Sequence, residues 1–176
     1  MKNNYILKIG IIGTLVSIIL TSGCTSSSTN ETKTFSDGVM SFNYPADFYN
    51  INYTGNEIDS STMRLIGMLE NKDGFTIYIC KNKTKISLPE ANEKTISKVE
   101  SLFTGKVIST ATETNPNGVV VEKIIYTKRG FLIFKARYDS MHFQKNGDVY
   151  AIMVSGLDMD NQQLTNIDDI IFQSIK

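Results

Sequence analysis

The side chains that offer chemistry are few and far apart: one imidazole, His142, two thiols, Cys24 and Cys80, and an acidic run at Asp158-Met159-Asp160-Asn161. A dyad or triad with a histidine base must use His142, yet no serine stands in a nucleophile elbow or glycine-rich oxyanion turn that would employ it. His142 lies between Met141 and Phe143 and reads as a packing residue at a strand end or loop. A Cys80–His142 thiol pair is the other arrangement available, but cysteine within a strand behaves as a small hydrophobe. With one histidine and one thiol beyond Cys24, no zinc set can be assembled, and neither metal nor cofactor is expected. The Asp158 run begins like a calcium loop. Gln162 and Gln163 then occupy positions that need an oxygen-rich ligand and a turn glycine, so helix capping is the simpler role. Asp168-Asp169 reads as a solvated helix face.

Cys24 has a different context. Lys2 and Lys8 precede an apolar run from Ile9 to Leu20, and Thr21-Ser22-Gly23 are small enough for a signal peptidase. The uncharged run from Ile9 to Gly23 is 15 residues. As a helix it would span about 22 Å, short of a hydrocarbon core of roughly 30 Å. Residues 1–23 therefore read as a signal peptide cut between Gly23 and Cys24. An uncleaved N-terminal anchor is the alternative and would leave the chain in almost the same place. Leu20-Thr21-Ser22-Gly23-Cys24 resembles the lipobox of prokaryotic lipoproteins in its looser form, with leucine one position further from the cysteine than usual. That resemblance implies a diacylglyceryl group on Cys24 and a mature chain held in membrane lipid on the extracytoplasmic face of the cell membrane.

Without residues 1–23 there are 16 basic and 18 acidic side chains, a formal charge of −2. Nucleic acid is excluded as a partner, because no basic face is available to release counterions, and Lys128-Arg129 before Gly130 reads as a hairpin turn. Cys80 has no thiol partner once Cys24 is acylated, so packing must supply the stability. Residues 24–34 read as a tether: Thr25–Thr34 has no apolar residue, and its root-mean-square reach is about 17 Å. Residues 35–176 then form one domain. Asn30, Asn52 and Asn82 head glycosylation sequons, relevant where the source modifies exported asparagines.

Within that domain, Val39–Tyr44 alternates and ends at Pro45, while Met63–Glu70 and Phe75–Lys81 flank a turn at Asn71-Lys72-Asp73-Gly74. The second of this pair has apolar residues on both faces and reads as central. Ser87-Leu88-Pro89-Glu90 is a capping box opening a helix that runs to about Phe103. Lys106–Glu113, Val119–Thr127, Phe131–Tyr138 and Val149–Ser155 form a meander, and Leu164, Ile167, Ile170, Ile171 and Ile175 mark a final amphipathic helix. The pattern is α+β: an antiparallel sheet of six or seven strands with two helices.

Asp37-Gly38-Val39-Met40-Ser41-Phe42-Asn43-Tyr44-Pro45-Ala46-Asp47-Phe48 resembles the opening of PsbP-like domains, and the order of elements is similar over most of residues 35–176. Family members often carry tryptophan where this chain has Phe48. The resemblance implies a PsbP-like sandwich, a sheet between helices, used as an accessory binding module on a membrane or envelope complex. An envelope enzyme with an unrecognised active site is the competing reading, which the scarcity of histidine disfavours.

Overall fold

Alternation in the sequence becomes a seven-stranded antiparallel sheet in the computed structural model, which describes residues 31–52, 62–129, 135–157 and 161–176. Its strands are β3 (Tyr49–Asn50), β4 (Met63–Glu70), β5 (Thr76–Asn82), β6 (Gly105–Thr114), β7 (Val120–Arg129), β8 (Lys135–Lys145) and β9 (Asp148–Leu157), ordered β3-β4-β5-β9-β8-β7-β6. β5, expected to be central, is an interior strand, and β9 occupies the middle of the sheet. β1 (Thr32–Ser36) and β2 (Ser41–Pro45) form a separate hairpin, and the helices are α1 (Leu88–Ser101) and α2 (Asn161–Ser174). The result is the expected α+β sandwich. Among the described residues no helix is long and apolar enough to cross a membrane. Gly23, Cys24 and Asn30 lie outside the described residues, as do Asp158 and Asp160.

One face of the sheet holds the core. Ile77 and Ile79 of β5, Met141 and Phe143 of β8, and Tyr150, Ile152 and Val154 of β9 pack under Leu164, Ile167 and Ile171 of α2 and Phe42 of β2. The hairpin is seated on this face by Phe35, whose ring crosses Gly67 so closely that a Cβ there would lie 2.9 Å from it. Tyr150 also donates to Asp37 at 3.0 Å, while Asp37 accepts from the amides of Val39 and Met40 around Gly38 at φ +88°. The chain end is tied in by two backbone bonds between Ser41 and Lys176. In the β6–β7 turn, the Asn115 amide donates to the carbonyls of Phe172, in α2's last turn, and Ile175, just beyond it, which have no helical partner of their own.

Three expectations need correction. Thr32–Thr34 belong to β1 rather than to a tether, so the compact unit runs from Glu31 to Lys176. β8 runs on to Lys145 instead of ending near Tyr138, closed by a two-residue turn with Asn146 at φ 51° and Gly147 at φ 84°. His142 therefore lies inside a strand, not at a strand end or loop. Finally, Asp168 is not part of a solvated face: it is 8% exposed and its carboxylate lies 3.4 Å from Lys123. Burial pushes its pKa up to about 6; Lys123 opposes this and nearby Asp139 adds to it. Asp169 is exposed, as expected.

Candidate binding cleft

The second face of the sheet is only partly covered. Ser87 starts α1 by accepting from the Glu90 amide, the capping bond expected of this sequence, while the Glu90 carboxylate pairs with Lys94. The helix then packs across β6, β7 and β8, with Ala91 and Val99 as its fully buried residues. Side chains this small and few cannot fill the space beneath it. A cavity of about 690 Å³ remains between α1 and the sheet, extending under β9 and β5.

The register explains who lines it. Cys80, Ala151 and His142 stand in one row across β5, β9 and β8, and Met153 and Ser140 pair in the next row. Ala151 is short and leaves depth in the middle. Tyr126 and Tyr138 form one wall, their rings stacked at 5.0 Å with planes 9° apart, and the Tyr126 hydroxyl donates to Met153 sulfur at 2.9 Å. Burial raises the pKa of both tyrosines, so they remain protonated donors. Exposed Lys94, Lys98 and Lys128 stand at the edge, with Lys94 paired to Glu90 at 2.7 Å.

His142 is the one imidazole in the wall. Burial alone drives its pKa down to about 4, so it is neutral at physiological pH. Its Nε2 shares a 2.9 Å hydrogen bond with Ser140 Oγ, and its buried Nδ1 has no protein partner. The carboxylate that register sets across from it, Glu122, is instead bonded to Asn92 of α1. An imidazolium formed here would have no acid to stabilise it, and a base with a pKa near 4 removes a serine proton poorly at neutral pH. Cys80 lies two strands away, roughly 10 Å at the backbone, with Ala151 between. The thiol and imidazole share the cavity, but Nε2 is bonded to Ser140 rather than to the thiol.

The remaining sequence-predicted sites do not converge here. Asn82 is buried, its Nδ2 donating to the Thr84 carbonyl at 2.6 Å and its Oδ1 accepting from the Val149 amide. In the folded domain that sequon's asparagine serves as a β5–β9 clasp, and glycosylation there would have to break it. Asn52 is exposed, but the rest of its sequon lies outside the described residues. Among the described residues no group of three or more His, Cys, Asp or Glu could hold a metal.

With this geometry in view, similarity to solved structures is informative. The solution structure of cyanobacterial PsbP from Synechocystis sp. PCC 6803 superposes with a TM-score of 0.58 at 11% identity, over 89% of this chain and 98% of that one. This is a PsbP-like fold. LpqN of Mycobacterium tuberculosis, described as involved in cell envelope biogenesis, matches at a TM-score of 0.56 and 11% identity, over 84% of this chain and 92% of its own. No family model and no curated protein matches the sequence. Identity this low conveys the PsbP-like architecture and no ligand or activity.

Proposed function

We propose that this chain is an accessory binding module, lipid-anchored through Cys24 at the extracytoplasmic face of the cell membrane, and that the α1–sheet cleft is its working site. The cleft suits a mostly apolar molecule. The observation behind this reading is the space of about 690 Å³ left under α1, walled mainly by apolar and aromatic side chains and by His142, a buried imidazole whose Nδ1 has no protein partner. The involvement of LpqN in cell envelope biogenesis supports an envelope setting. So does the lipobox-like run before Cys24.

Filling the cavity tests this reading. Ala151→Phe should leave the domain folded and abolish retention of any small molecule detected by native mass spectrometry of protein extracted from its own membrane. Ligand retained unchanged by the filled variant would reject the cleft. An envelope enzyme is the second reading, favoured by the 2.9 Å Ser140–His142 contact. It requires Ser140→Ala to abolish function in cells, whereas a binding module tolerates that change and fails only when the cleft is filled.

The anchor has its own test. Cys24→Ser should yield protein that no longer partitions into detergent with membrane lipoproteins. Mass spectrometry that finds residues 1–23 intact and the Cys24 thiol unmodified in the natural chain would remove the anchor from the proposal.

A further inference from the structure

We propose that the end of the domain where α1 hands over to β6 docks on an anionic lipid surface. Phe103, in the turn between them, is 105% exposed, so no part of its ring is sheltered by the protein. Exposed cations surround this turn: Lys98 in the last turn of α1, Lys106 near the start of β6, and Lys128 and Arg129 at the end of β7. Their proximity follows from the pairing, since Gly105 lies opposite Lys128, Lys106 opposite Thr127, and Thr104 Oγ1 donates to the Arg129 carbonyl at 3.1 Å. None of the four is ion-paired among the described residues. Glu93 and Glu100 leave α1 on the side away from buried Ala91, and Glu90 is already paired with Lys94.

A bare aromatic ring inside a ring of unpaired cations fits a lipid interface better than a protein one. Protein interface centres are depleted in lysine and need contiguous apolar area, which a single phenylalanine does not supply. At a bilayer, an exposed phenylalanine can bury its ring at the headgroup–acyl boundary while each nearby basic residue strengthens attachment to anionic lipid by about fivefold. Lys98 and Lys128 also border the cleft, so docking here would turn its edge toward the lipid. The inference does not depend on the Cys24 anchor or on what the cleft binds.

Residues 31–176, whose core is complete within itself, should sediment with vesicles of equal parts phosphatidylglycerol and phosphatidylcholine, and not with phosphatidylcholine alone. Raised salt should release the protein. Lys106→Glu with Arg129→Glu, both at exposed positions, should weaken binding by about 25-fold or more. The chain contains no tryptophan, so Phe103→Trp provides a single reporter whose emission should shift to the blue when anionic vesicles are added. Absence of binding to anionic vesicles, equal binding to neutral ones, or an unshifted Trp emission in vesicle-bound protein would each overturn the proposal. So would a dimer in solution that Phe103→Ala converts to monomer, since the face would then belong to a second copy.

Discussion

Asn115→Ala should destabilise the domain by about 3 kcal/mol, although Asn115 lies in a turn. Its side chain is 3% exposed and makes four hydrogen bonds: Nδ2 to the carbonyls of Phe172 and Ile175, and Oδ1 from the amides of Asn117 and Val119. Each neutral bond contributes about 1 kcal/mol, and buried groups left without a partner cost more. The Ile175 carbonyl keeps a second donor in Asn117, which limits the loss. Urea denaturation measures the difference directly. Asn117→Ala, at an exposed position, should cost about 1 kcal/mol or less, and an Asn115→Ala loss as small as that would show that the turn does not secure α2.

The second large effect appears on acidification. His142 is held at about 4 against an ordinary 6.5, so the unfolded chain takes its proton first; stability is present above pH 6.5 and is lost as pH falls toward 4. Asp168 is pushed up to about 6 from 3.8, so the folded chain takes its proton first, and stability is gained as pH falls from 6 toward 3.8. Each amounts to about 3 kcal/mol. The windows nearly coincide, and the two contributions largely cancel. Asp168→Asn should therefore expose the histidine: the variant loses about 3 kcal/mol more than the parent between pH 6.5 and 4. At pH 8 it should be about 2 kcal/mol more stable than the parent. The raised pKa already includes the attraction of Lys123, so the buried charge costs more than its partner returns, and Lys123 keeps Glu113 at 3.4 Å and the Phe172 ring. His142→Gln should do the opposite and gain stability on acidification. Parallel denaturation midpoints for all three proteins from pH 8 to 4 would contradict both assignments.

Legibility in the sequence followed the physics of each element. β5, β7 and β9 have one strongly apolar face, and α2 an apolar stripe, so periodicity marks them. β1 escapes because Thr32, Lys33, Thr34 and Ser36 are all exposed and only Phe35 packs; its order comes from the backbone ladder with β2. The second half of β8 is not legible because its cleft-facing side, Tyr138, Ser140 and His142, is too polar to alternate cleanly with Met141 and Phe143. That mixture is itself the trace of a cavity wall. The cleft draws on residues from Thr62 to Met153, whose nearness depends on strand order, and no local spacing encodes it. The burial of Asp168 depends likewise on Lys123, 45 positions earlier.

Any force transmitted through the residues preceding Glu31 enters the domain at β1. Its backbone ladder is with β2 alone, through five residue pairs, it lies outside the seven-stranded sheet, and Phe35 is its one side chain packed on the core. It would be the first segment to yield under tension, unzipping from β2 while α2 and the cleft stay intact. Release of five residues would lengthen the leash by about 17 Å. For a chain held at Cys24, β1 would thus act as a mechanical fuse, giving up the Phe35 contacts with Phe42 and Gly67 and letting the domain move outward while the seven-stranded sheet stays paired.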